Sequence, residues 1–362
     1  AGDTKSAVKH AQTAHELMPA DKSLTLLLQA QAARLDGREE DAGKFFTKLL
    51  DNKDTAFLGL RGLLQSALDQ GQTTKALQLA HKAQSQHPKQ PWILETVYDL
   101  EIKEKSWTAA EKTLKKLERL NIIDKAGALS NKIAMTLAIA LSAEEENLHD
   151  VARSQYKKAL RLDPQNTPAI LLQAQYLIRN NEPQKAKSKN ESAWKNNPHA
   201  AFVSVWTALM PLILSAEDLN NPLSRMKLYE KLTKRNPNSA RIHLAIGKEA
   251  LNASLWGEAQ HHFDIAQNIR PSKNLYRAMA DLEEKTTNNQ GKIHEYLDKA
   301  LDAMDERQWV CTQTGLTYDN WNPIAQPHGA FNTMIWDYPD STRLHLLAQQ
   351  ETQKTFQISK ML

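Results

Sequence analysis

The segment Arg241–Pro271 reads RIHLAIGKEALNASLWGEAQHHFDIAQNIRP, and its reading decides the fold. It carries Gly247 in its first half, then Ala259, Phe263, Ala266 and a closing Pro271 in its second. Apolar residues recurring at three, four and seven positions mark one face of a helix. A proline at the end cannot continue that helix and pushes the residue before it toward an extended conformation. Two helices cross closely only where a small side chain sits at the crossing. Alanine fills such a place without the entropy cost of glycine.

The same frame extends outward in both directions. Asp41–Phe46 and Ala152–Tyr156 carry the same element, an alanine followed four positions on by an aromatic residue. Anchors at Ala7, Ala42, Ala76, Ala110, Ala152 and Ala186 follow one another at 35, 34, 34, 42 and 34 residues. The next step is 39, to Arg225, then 34, to Ala259, and Gln290–Ala303 fits one more unit with Ile293 and Ala300 in the anchor slots. Prolines close the frame at Pro19, Pro88, Pro164, Pro198, Pro237 and Pro271. A helical pattern with this period is that of tetratricopeptide repeats, each a pair of antiparallel helices. The sequence therefore predicts an all-α solenoid of about nine helix pairs, the first partial, over residues 1–304. Residues 305–340 are expected to form a small cap lobe and 341–362 a helix or tail. The two longer steps place longer loops at 142–150 and near 215–224. Ala1–Met18 reads as the second helix of a pair, so its first helix is expected upstream.

Composition agrees with this class. Aromatic residues are 6% and glycines 12 of 362, and no alternation of β-branched residues marks a strand. The 46 basic and 42 acidic side chains leave a net charge of +4. The lysine runs Lys103/Lys105, Lys112/Lys115/Lys116 and Lys185/Lys187/Lys189 are interleaved with acidic residues and read as solvated helix faces. No concentrated basic stripe of the kind that nucleic acid requires is present. The single Cys311 excludes an internal disulfide. No uninterrupted apolar run of 18 residues and no signal-peptide pattern occur.

Three stretches carry a more specific resemblance: Leu24–Gln31 with Ala56–Leu63, Pro91–Leu100 with Trp107 and Ala110, and Trp309–Trp336. Together they resemble the HemY family, bacterial inner-membrane proteins whose genes lie among those for haem biosynthesis. The resemblance covers essentially the whole chain. It implies two membrane-spanning helices ahead of the soluble part, an inner-membrane location with this domain on the cytoplasmic side, and partners among the haem-biosynthesis enzymes. In many family members the C-terminal piece resembles a rubredoxin-like zinc ribbon with two C-x2-C pairs. Here only Cys311 remains, and Thr314, Ala325 and His328 stand at the other three positions. Zinc needs about four thiolate or imidazole ligands. The expectation is a metal-free lobe held by Trp309, Trp321, Phe331 and Trp336 against the last repeat.

No phosphate-binding glycine loop, GxSxG, HExxH or Walker motif is present, so the reading is non-catalytic. Function then rests on the first helix of each pair, expected on the concave side. In this register that side presents Gln31, Arg61, Gln65, Glu95, Asp99, Gln175, Arg179, Arg241 and Lys248. Mixed charge of this kind suits an extended peptide or a charged loop of a partner protein. The sequence reading is a protein-interaction scaffold without a cofactor. The second reading is a carrier that binds haem or a porphyrin directly, with axial ligands drawn from the 12 histidines and 8 methionines.

Overall fold

A computed structural model describes residues 6, 9, 10, 13, 22–52, 54–196, 199–339, 343 and 346. Most of the expected helix over Ala1–Met18, Pro19, Pro198 and most of the 341–362 tail lie outside the described residues. The chain divides into two compact units, Ala1–Lys132 and Ile133–Leu362. In the first unit helices pair as α1 (Lys22–Leu35) with α2 (Glu39–Leu49), α3 (Ala56–Asp69) with α4 (Thr73–Gln86), and α5 (Pro91–Lys103) with α6 (Trp107–Arg119). The division falls within α7 (Lys125–Glu145). The second unit continues with α8 (His149–Leu162), α9 (Thr167–Arg179), α10 (Pro183–Asn196), α11 (Phe202–Ile213), the short α12 (Ala216–Asn220), α13 (Pro222–Thr233), α14 (Ala240–Asn252), α15 (Trp256–Ile269), α16 (Lys273–Thr286) and α17 (Gln290–Asp302). These are tetratricopeptide helix pairs.

The anchors sit where packing requires them. Ala42, Ala76, Ala110, Ala152, Ala186 and Ala259 are all fully buried on the second helices. After Ala42 and Ala259 the aromatic residue four positions on covers a glycine of a first helix. A Cβ at Gly247 would overlap the Phe263 ring, and one at Gly62 the Phe46 ring. Pro88, Pro164, Pro237 and Pro271 lie in the turns between one pair and the next.

The turn inside every pair but α11 and α13, which α12 separates, has its own periodic device. Gly37, Gly71, Lys105, Asn147, Asn181, Ser254 and Asn288 all take the left-handed conformation just past a first helix. The residue after most of them donates its N–H back to the third-last residue of that helix: Arg38 to Ala33 O, Gln72 to Ala67 O, Ser106 to Glu101 O, Leu148 to Ala143 O, Glu182 to Leu177 O and Leu255 to Ala250 O. This is the Schellman closure, which satisfies carbonyls that a helix end leaves unpaired.

The two irregular steps resolve differently from the expected loops. The 42-residue step lengthens a first helix: α7 has 21 residues where α5 and α9 have 13. Residues 142–145 are therefore helical and only three residues separate α7 from α8. Alanine and glutamate in that stretch favour helix over loop. The 39-residue step inserts α12, and Asn221 caps α13 by accepting from Leu223 N at 3.0 Å, with Pro222 at the first helical position. By length and hydropathy α7 could cross a membrane, and half of its apolar window is buried by protein. Its Ile133, Ala134, Leu137 and Ala140 belong to the core that also holds Tyr156 and Ala159 of α8.

After α17 the chain forms a lobe of short strands. β1 (Gln308–Cys311) pairs antiparallel with β2 (Thr317–Tyr318) on one side and β5 (Met334–Asp337) on the other; β3 (Ile324–Ala325) pairs with β4 (Ala330–Phe331). Strands of two to four residues are too short to show alternation, which is why no strand was expected from the sequence. Two tight turns follow β1 and β3. Gly315 donates its N–H to Cys311 O and Gly329 to Ala325 O, each at 2.8 Å, and both glycines have φ of +70°. They frame the two positions pairs Cys311/Thr314 and Ala325/His328. Among the described residues no three His, Cys, Asp or Glu side chains gather where a metal could be held.

Candidate protein-interaction surface

In the first unit, Arg61 and Gln65 lie one turn apart on α3, and Glu95 and Asp99 lie one turn apart on α5, one 34-residue repeat further on. All four are exposed, as is Gln31 on α1. Beside them is an aromatic group that the sequence reading left unassigned. The Phe57 ring lies 4.1 Å from His87 and 5.8 Å from Trp92, and the Arg61 guanidinium stands 5.4 Å from the Trp92 ring centre. Such a cation–π contact holds the arginine head in place while leaving its donors available. Gln65 donates to Asp69 at 2.8 Å. The Asp99 carboxyl is raised above the ordinary carboxylate range, first by loss of water around it and further by Glu95, with Lys103 opposing. The face therefore offers a cation, an amide and two carboxylates with an aromatic pair at its edge.

In the second unit the chain itself takes up three of the four expected positions. Arg179 is bound to Glu144, with Nη2 to Oε2 at 2.6 Å and Nε to the same oxygen at 3.2 Å. Gln175 donates to Asn320 of the lobe at 2.8 Å. Arg241 stands 5.8 Å from the Trp336 ring centre and 4.0 Å from the Glu306 carboxylate. Lys248 is exposed, as Arg179 is despite its ion pair, and lies beside a depression that Tyr229 and Asn274 also line.

The lobe does not pack on the last repeat alone, as expected, but reaches back to α9, α11 and α14. Trp309, Trp321 and Met334 share one core with Leu171 and Leu172 of α9. His199, just before α11, lies between the two: its ring stacks on Trp309 at 6.1 Å and approaches Trp336 at 5.2 Å. Its Nδ1 accepts from Ala201 N at 3.2 Å, so the neutral ring carries its proton on Nε2. Burial pushes its pKa down to about 4, helped by the Arg307 and Arg241 charges. The linking residues hold to the later repeats, Asp305 to Lys273 at 2.9 Å and Glu306 to Ser272 and Asn274 at 3.4 Å. No sequence motif marks His199 or Asn320; each gains its role only from a partner far along the chain.

Cys311 is buried in the lobe, 3.3 Å from the Thr333 hydroxyl. Burial pushes its thiol up, but hydrogen bonds from Thr314, Thr333 and the N–H groups of Gln313 and Thr314 together leave it below its ordinary value. His328 is exposed.

No family model matches this chain. A relative described as the probable magnetosome protein Mms48 of Magnetospirillum gryphiswaldense is 25% identical over 146 residues, which are 40% of this chain and 31% of the relative. The chain thus spans about a third of that protein's length. Among solved structures, MamA is 16% identical over 47% of this chain and 90% of its own, at a TM-score of 0.31. YrrB, described as a tetratricopeptide protein with an unusual peptide-binding site, is 20% identical over 46% and 84%, at 0.29. PilF of Pseudomonas aeruginosa is 15% identical over 57% and 90%, at 0.32. The repeat architecture rests on the helix pairing itself.

Proposed function

We propose that this chain is a non-catalytic scaffold that holds a partner protein on the first-helix face of its first unit. The observation that carries this is the exposed set Arg61, Gln65, Glu95 and Asp99, repeated at 34 residues beside Phe57 and Trp92. A stack of helix pairs builds an extended surface rather than an enclosed catalytic pocket. Mixed charge next to aromatic residues is what a partner's polar segment needs. The resemblance to the HemY family supports reading it as a scaffold at the bacterial inner membrane, its domain on the cytoplasmic side, with partners in haem or porphyrin metabolism.

The scaffold is favoured over a direct haem carrier by the state of the buried histidines. His199 is held by Ala201 and the two tryptophans. His243 bonds Pro237 O at 2.9 Å through Nε2 and His262 at 2.8 Å through Nδ1, which leaves no ring nitrogen for iron.

The test is capture from solubilised membranes with the immobilised chain. Charge reversal at Arg61→Glu together with Glu95→Lys should abolish capture of specific partners. Stability should stay within about half a kcal/mol, because both positions are exposed. Unchanged capture would refute the assignment of this face. A stoichiometric shift of the haem absorbance band on titration would favour the carrier instead.

A further inference from the structure

A cavity of about 340 Å³ lies in the second unit where the lobe meets α14, α15 and α16. Its floor is apolar, formed by Leu244, Ile269 and Leu275, and at its rim stand Arg270, Arg307 and Tyr338. The volume is in the range of small-molecule sites, which are mostly apolar with a few convergent polar groups.

The charges at this rim do not cancel. Of the two carboxylates that line it, Asp305 is bound to Lys273 at 2.9 Å. Glu306 is taken by Ser272, Asn274 and, at 4.0 Å, Arg241. Arg270 and Arg307 have no carboxylate at ion-pair distance among the described residues. Arg270 donates instead to the Met304 sulfur at 3.6 Å, a weak acceptor. Both guanidiniums are gathered by one ring: Arg270 lies 3.6 Å and Arg307 4.9 Å from the centre of Tyr338. Two cations held close together repel, and the ring quadrupole offsets only part of that. Their forks match the paired oxygens of a carboxylate or a phosphate. His199 also lines the cavity, and burial first, then the Arg307 and Arg241 charges, oppose its protonation.

We propose that the cavity binds a small organic anion, its oxyanion head on Arg270 and Arg307 and its apolar body over Leu244, Ile269 and Leu275. The two arginines supply charge and geometry, and the floor supplies apolar burial. Because Arg270 comes from the repeats and Arg307 from the segment leading into β1, a bound anion also ties the lobe to the helices.

The experiment is calorimetric titration of the full chain with three probes of similar size: phenylacetate, phenyl phosphate and the neutral phenylethanol. One or both anions should bind and the alcohol should bind about ten-fold more weakly or not at all. The tighter anion identifies the head group as carboxylate or phosphate. Arg270→Gln with Arg307→Gln should weaken anion binding about ten-fold or more while leaving the melting temperature and tryptophan spectrum in place. Should the double variant unfold, Arg307→Gln alone, at an exposed position, carries the same test. Absence of anion binding, alcohol binding equal to that of the anions, or binding unchanged in the folded variant would overturn the proposal.

Discussion

Acidification should loosen the joint between the lobe and the repeats through His199. The ring is half-buried between Trp309 and Trp336, and its Nδ1 accepts from Ala201 N. Protonation would replace that acceptor with a donor and set a cation near Arg241 and Arg307. An unfolded chain takes up this proton around pH 6.5, the folded one around 4. Between those values the unfolded chain holds more of the proton, so stability rises with pH. The contribution is fully present above pH 6.5 and is lost as the pH falls toward 4. At pH 5 the loss works out at about 2 kcal/mol for a fully screened-off ring. Partial exposure to solvent reduces it to roughly 1–2 kcal/mol. For a unit of this size that is roughly 2–8 °C in melting temperature. The assay is thermal melting followed by tryptophan fluorescence at about pH 7.5 and about pH 5, for the native chain and for His199→Gln. Other carboxylates and histidines contribute to both proteins, so the difference in pH dependence isolates His199. The native chain should lose more stability on acidification than the variant. Equal slopes, or a native chain that gains relative to the variant, would refute the reasoning.

Two further outcomes follow from the packing and the turns. Gly247→Ala would ordinarily strengthen a helix, but here the added Cβ overlaps the Phe263 ring. It should cost about 1–3 kcal/mol in denaturant melts, and a gain in stability would show the crossing to be looser than described. Lys105 and Ser254 hold left-handed turns that Gly37 and Gly71 hold elsewhere. Lys105→Gly and Ser254→Gly should each stabilise by about 0.5–1 kcal/mol, whereas Lys112→Gly, at an exposed position inside α6, should destabilise by a similar amount; a loss at Lys105 or Ser254 would contradict the turn assignment.

The repeats were legible because their cause is local and recurrent. A close crossing admits only a small residue, so Ala42, Ala76, Ala110, Ala152, Ala186 and Ala259 record the packing directly. The left-handed turns were written in the sequence too, as glycine or asparagine at five of the seven positions, but Lys105 and Ser254 break the pattern by identity while keeping the backbone. The 42-residue step misled because a longer spacing looks the same whether a loop or a helix grows. Its eight extra residues continue α7 without a break. The exposure of the proposed face was half legible. Arg61, Gln65, Glu95 and Asp99 are exposed where the register places them, but in the second unit the same register runs under the lobe. Gln175 and Asn320 are 145 residues apart, and no periodicity links a helix to a strand-rich segment so distant.

The lobe's seat has a consequence for any molecule that approaches the first helices of the second unit. Residues 303–307 tether it directly to α17, and it already occupies Gln175 and crowds Arg241. A short tether gives its occupant an effective concentration on the order of millimolar. A soluble competitor at micromolar concentration would therefore meet a resident about a thousand-fold more abundant, and its apparent affinity would fall by the ratio of that effective concentration to the lobe's own dissociation constant. The first-helix face carrying Arg61 and Glu95 bears no such tethered rival among the described residues. Two surfaces built on one register thus differ in availability, one open to dilute partners and one reserved until the lobe lets go.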